Sequence, residues 1–219
     1  MKNTTDDKNE FQFNENMGTS EKILFVAIEL IAKKGYKAVT ISEIARHAQV
    51  SEMTVFRHFG NKRKILEDAI NRYYYPIPID KVFQENVQWD LEKDLTMLSK
   101  TYHELMKKNV KLLHIAYKEG SSVPGLYEWV NKRPRQLKEM LMQYFAKMQE
   151  MGKLIRDVDL EMQAMMFLYI NYGEILSRTF VEGHRITSIA EEDFIRASVK
   201  LFVDALTPKE SRSQKSGAK

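Results

Sequence analysis

The chain alternates between helical runs of apolar residues and short breaks marked by Gly, Pro or a hydroxyl side chain. Ile23, Leu24, Ala27, Ile28, Leu30 and Ile31 recur at helical spacing after Thr19 or Ser20, either of which can cap the helix, and before Gly35, a C-terminal stop. Thr40 opens a second, short run with Glu43 three residues on, the spacing of a capping box, and Ile41, Ile44, Ala45 and Ala48 make its apolar stripe. Gln49 and Val50 form a turn. Ser51 caps a third run that ends near His58, and Gly60 stops it. Asn61 opens a fourth over 62–75, with Ile65, Leu66, Ala69 and Ile70 inward, and Pro76 and Pro78 end it.

Beyond YYYPIPID the pattern remains helical. It predicts helices near 81–107, 110–118, 124–150, 159–182 and 190–206, with Pro134 kinking or interrupting the third. No stretch alternates with period two long enough for a sheet, so the fold class is all-α. The expected organisation is a polar tail over 1–18, a head over 19–75, a larger helical bundle over 76–207 and a second tail over 208–219. The helices over 159–182 and 190–206 are apolar around most of their circumference. One side can face their own domain and the other needs a partner; a two-fold copy would pair them into a four-helix bundle.

Charge sharpens this division. The whole chain carries +4, and residues 20–72 hold ten Lys/Arg against six Asp/Glu, also a surplus of four. The basic excess therefore belongs to the head. The 219 residues contain no cysteine, which removes disulfides, thiolate zinc sites and a cysteine nucleophile, and suits a reducing cytoplasm. The N-terminus lacks the pattern of a signal peptide, and no apolar run is long enough to span a bilayer. No glycine-rich phosphate loop, no nucleophile with its base and no histidine–carboxylate ligand spacing is visible among the five histidines. No enzyme activity, cofactor or metal is expected on these grounds.

A helix, a tight turn and a short helix with small Ala45 at the crossing make a helix-turn-helix, whose second helix fits the major groove of double-stranded DNA. With Val50, Val55 and Phe59 inward, Ser51, Glu52, Met53, Thr54, Arg57 and His58 face outward. Arg can read guanine, Thr or Met a thymine methyl, and Glu the cytosine amino group. Thr40 and Ser42 at the second helix start, and Lys62 with the free N–H groups behind Asn61, are candidates for phosphate contacts. Each has a plainer reading as well: Thr40 and Ser51 cap helices, Lys62–Lys64 can be a solvated run, and His58 can simply pack. Arg46 and His47 are expected to face solvent.

The run GYKAVTISEIARHAQVSEMTVFRHFGNKRKIL resembles the DNA-binding domain of the TetR/AcrR family of bacterial transcriptional repressors over about residues 20–70. The resemblance implies an all-helical homodimer whose larger domain binds a small molecule that releases the DNA. Phe56 stands where the family often has tyrosine, and it cannot make the hydroxyl–phosphate bond that the tyrosine makes. The C-terminal part has no motif of its own. It is rich in Met and aromatic residues, which suits a pocket for a small apolar or aromatic effector as well as an ordinary core. The candidates are Trp89, Tyr102, His103, Met106, His114, Tyr117, Tyr144, Met166, Tyr169 and Glu174, though Arg178 four residues beyond Glu174 offers it an intrahelical ion pair. The function expected is a cytoplasmic regulator released from a palindromic operator. The alternative is a DNA-bound adaptor whose C-terminal part holds a protein partner.

Overall fold

The computed structural model describes residues 17–74 and 79–209, and within them every regular element is helical. The expected tails fall mostly outside these residues, and so does the proline boundary over 75–78. The helices are α1 (Thr19–Lys34), α2 (Ile41–His47), α3 (Glu52–Phe59), α4 (Lys62–Ala69), α5 (Ile79–Asn86), α6 (Leu91–Lys108), α7 (Val110–Glu119), α8 (Leu126–Glu150), α9 (Leu160–Phe180) and α10 (Glu191–Leu206). The end of α4 widens into a π-helical turn, Ile70–Tyr74, where the sequence pattern suggested one continuous helix.

The chain forms two compact units. The first holds α1–α4, the π turn, α7 and residues 126–132 of α8; the second holds α5, α6, the rest of α8, α9 and α10. The first unit thus includes Asn109–Lys132, a return of the chain that no local pattern marks. Within it α1 packs on both α4 and α7, and Lys111 of α7 pairs with Glu29 of α1. Most of its predicted core is buried, including Ile23, Leu24, Ala27, Leu30, Ile31, Ile44, Ala45, Val55, Ile65, Leu66 and Ala69, while Ile41 and Val50, also expected inward, are half-buried.

One expectation changes in the second unit. The helix expected over 81–107 is broken between Asn86 and Leu91. Trp89 there takes a left-handed backbone (φ +57°), and Asp94 accepts the N–H groups of Gln88 (2.8 Å) and Asp90 (3.0 Å). A buried carboxylate caps the second piece, and those polar contacts outweigh the apolar periodicity that seemed to run through. In α8 the helix continues through Pro134.

Candidate nucleic-acid interface

Three short helices present the site, and each is held by its cap. Thr40 Oγ1 accepts the N–H of Glu43 (3.1 Å), Ser51 Oγ that of Thr54 (3.1 Å), and Asn61 Oδ1 that of Lys64 (2.9 Å). Helices of seven or eight residues are marginal alone, so these caps and the buried stripe beneath them fix the geometry. Only half of the capping box at Thr40 forms. The Glu43 carboxylate goes instead to Lys34 Nζ (2.5 Å), tying α2 to the end of α1. That bond is the main reason its pKa lies below the usual carboxylate range, against the opposing effect of burial.

The turn between α2 and α3 is tight because Gln49 adopts a left-handed conformation (φ +59°) and Val50 N–H reaches back to Ala45 O (3.0 Å). Gly60, at φ +73°, ends α3 where a side chain would be strained. Val55 and Phe59 anchor α3 inward. Its other side is open: Met53 is 76% exposed and Phe56 50%, with Ser51, Glu52, Arg57 and His58 also exposed. Thr54 is half-buried, and its hydroxyl lies 2.8 Å from Ser51 Oγ, so its methyl is the part left for an outside contact. Ser42 is exposed on α2. Met and Phe thus leave apolar area uncovered on one helical edge beside Arg and His.

Lys62 departs from expectation. Its ammonium donates to the carbonyls of Tyr36 (2.6 Å) and Val39 (2.5 Å) and sits 4.3 Å from the centre of the Tyr36 ring. Burial lowers its pKa, with Glu119 opposing. Two of its three N–H donors serve the loop between α1 and α2, so the side chain is a strut between that loop and α4 before it is anything else. Its neighbours are engaged too. Arg63 lies over the Trp129 ring (5.4 Å), and Lys64 pairs with Asp68 (2.8 Å). The basic run 62–64 is therefore largely taken up inside the first unit. His47 also departs: it is buried, with Nε2 3.2 Å from Arg46 Nη2, because its position on α2 falls beside Ile44 and Ala48 on the packed side.

The second unit divides the other candidates into groups. Trp89 stacks on Tyr144 (5.8 Å, 20°), and the Tyr144 hydroxyl donates to Asp94 Oδ2 (2.9 Å). Burial first, then Asp94, drives that hydroxyl's pKa far up. This knot supports the α5–α6 break. Tyr102 and Met106 are core. His103 and Glu174 come together, and Glu174 pairs with Arg178 as its spacing suggested. Burial lowers the His103 pKa; nearby Glu174 and Glu191 oppose this. The other four do not join them. His114 and Tyr117 lie on α7 in the first unit, Tyr117 being 73% exposed, while Met166 (45%) and Tyr169 (65%) point outward from α9. At about 100° per residue, Met166 and Tyr169 lie about 80° and about 140° around α9 from Glu174. Asn171, Lys107 and Glu191 join the His103 cluster without having been anticipated. Only Asn171, a polar residue inside an apolar run, left a local trace.

Among the described residues no helix is long and apolar enough to cross a membrane. Residues 23–69 match the sequence model of bacterial regulatory proteins of the tetR family. The chain is 30% identical over 189 residues to the HTH-type transcriptional regulator YvkB of Bacillus subtilis (strain 168), covering 86% of this chain and 97% of that protein. Its fold is similar to that of a TetR-family regulator from Mesorhizobium loti (TM-score 0.67, 20% identity, 87% of this chain and 97% of that one). It is also similar to Salmonella enterica GusR (TM-score 0.67, 21% identity, 89% and 100%). With the exposed third helix, its caps and this near full-length likeness in hand, the chain belongs to the tetR family of bacterial regulatory proteins and is a transcriptional regulator with a TetR-type DNA-binding domain.

Proposed function

We propose that the protein is a cytoplasmic repressor that binds a palindromic operator as a homodimer and leaves it when a small apolar or aromatic effector occupies its second unit. The observation that carries the DNA reading is the open edge of α3. Met53, Phe56, Arg57 and His58 stand exposed on a helix whose opposite side is locked by Val55 and Phe59. Ser51, Glu52 and Thr54 complete the base-reading set, and Thr40, Ser42 and the start of α4 at Asn61 position the phosphates. Phe56 packs against sugar or methyl groups. Lys62 supports this surface by bracing the loop.

The outer face of α9 supports the dimer. Met162 (55% exposed), Met166, Tyr169 and Gly173 recur at intervals of four, three and four, one stripe of the helix, and a Cβ on Gly173 would meet nothing within 4 Å. A mid-helix glycine costs about 1 kcal/mol and is explained by a close partner. On α10, Ala197, Leu201 (66% exposed) and Ala205 share a stripe bordered on one side by the ion pairs Arg196–Asp193 and Lys200–Asp204. That helix is amphipathic, less apolar than its sequence suggested, which suits a seam with a polar rim.

The test is a fluorescence-anisotropy titration on the promoter DNA nearest its own gene, with random duplex as competitor. Saturable binding that random DNA fails to displace, with two protomers per site, is the expected result. Equal affinity for both duplexes would overturn the reading.

A further inference from the structure

α6 carries His103 into the packed interior of the second unit, where it is 1% exposed. Its Nε2 lies 3.1 Å from Asn171 Oδ1 on α9, and the Asn171 NH2 donates to the Phe167 carbonyl (2.8 Å). That network assigns the amide oxygen to the ring, so Nε2 carries the hydrogen and donates it. Nδ1 of the neutral ring is then a bare lone pair. It faces Glu174 Oε2 at 3.7 Å and Glu191 Oε1 at 3.8 Å, both too long for hydrogen bonds. Both Nδ1 and Glu174 Oε2 are buried without a hydrogen-bond partner. Three acceptor atoms, Nδ1, Glu174 Oε2 and Glu191 Oε1, lie within 4.8 Å of one another, and of these the Glu191 oxygen accepts from the Lys107 ammonium at 2.7 Å while the other two have no donor. Buried acceptors converge in this way at a cost unless something positive sits between them.

We propose that His103, Glu174 and Glu191 bind a single divalent first-row transition-metal ion. Distance chooses between candidate occupants. Ligands at metal bonds of about 2.0–2.2 Å lie about 3.3–3.6 Å apart around a tetrahedral ion. Acceptors around an ammonium group or a water, at about 2.8 Å each, lie about 4.6 Å apart. The separations of Nδ1 from the two carboxylate oxygens, 3.7 and 3.8 Å, sit close to the first value, and the two oxygens lie within 4.8 Å of each other.

The surroundings are those of a metal site. Asn171 orients the histidine through its other nitrogen, as the partners of ligating histidines do. Arg178 holds the outer oxygen of Glu174, and Lys107 Nζ lies 2.7 Å from both oxygens of Glu191, so both carboxylates are aimed and their charge is offset, and the ion shares Glu191 Oε1 with the ammonium or displaces it. Because these cations weaken purely electrostatic binding, the imidazole nitrogen selects a transition ion over Mg2+ or Ca2+. The side chain of Glu191, 24% exposed, marks the side on which the ion and a further ligand enter.

The full-length protein, stripped with chelator and free of DNA, is titrated with Zn2+ by calorimetry and with Co2+ by visible absorption. One ion per chain is expected, with the absorption of a four- or five-coordinate Co2+ site. His103→Gln and Glu191→Gln should each weaken binding at least about 10-fold, and Zn2+ should raise the thermal unfolding midpoint of the wild-type chain but not of the variants. Glu191 lies at the rim, so its variant decides the matter should His103→Gln fail to fold. Absence of stoichiometric binding, or affinity unchanged by Glu191→Gln, overturns the proposal. Operator binding plays no part in the readout, so the two readings succeed or fail separately.

Discussion

The two units treat polar side chains in opposite ways. In the first, the caps of α2–α4 stand at helix starts beside an open edge, each holding a partner three residues along the chain, as with Ser51 and Thr54 or Asn61 and Lys64. In the second, His103, Asn171, Glu174 and Glu191 are drawn together from three helices, His103 and Asn171 being 68 residues apart in sequence. The first arrangement leaves side chains available to a large external partner. The second encloses them, and each must be satisfied from within or by something small. The proposed reading surface and the proposed metal cluster are thus built by different kinds of contact, caps within one turn in one case and long-range convergence in the other.

The comparison can be broken at its seams. The largest effect is expected where the outer stripe of α9 is spoiled. Tyr169→Glu puts a charge on the proposed dimer seam without touching the core, and should convert dimer to monomer by sedimentation and lower operator affinity about 100-fold or more. A monomer that binds as tightly as the wild type would sever the link between the two units' roles. Next comes Arg57→Ala, which should lower specific affinity about 10- to 100-fold while leaving the melting temperature unchanged, since the side chain is exposed and uninvolved in the core.

Lys62→Met should do the reverse. Losing the two carbonyl contacts at Tyr36 and Val39 should destabilise the first unit by about 1–3 kcal/mol, read by chemical denaturation, with the salt dependence of DNA binding nearly unchanged. A flattened salt slope with unchanged stability would instead make Lys62 a phosphate ligand.

The smallest effect concerns acid. Glu43 is held below the ordinary carboxylate range chiefly by Lys34, so its ionised form stabilises the folded state above that range, and the contribution disappears as pH falls through the depressed value. Wild type should therefore be more stable than Lys34→Met near neutrality, and the gap should close between about pH 5 and pH 3. A gap that persists at pH 3 would mean that Lys34 acts by packing.

How much of this could be read from sequence follows the same division. Ile44, Ala45, Val55 and Phe59 announce themselves by helical spacing, and Thr40, Ser51 and Asn61 by their place before an apolar run, because caps and stripes are decided within one or two turns. Lys62 looked available because nothing in its neighbourhood reveals that carbonyls 23 and 26 residues earlier approach it. His47 looked exposed for want of the same knowledge. In the second unit the break at Trp89 was hidden by continuous apolar spacing, and Met166 and Tyr169 read equally well as lining or as outer face. Glu191 sits in an acidic first turn beside Glu192 and Asp193, where only tertiary contact with Lys107 and His103 distinguishes it.

The central claim is that the open edge of α3 enters the groove. The chain has no cysteine, so a single one can carry a DNA-cleaving label at a chosen place. Met53→Cys, so labelled, should cut operator DNA in two clusters about 34 Å apart, or a multiple of that, one in each half-site. Ile186→Cys, equally exposed at 76% but remote in sequence from α3, should leave the operator intact. Cleavage from position 186 with none from position 53 would contradict the account.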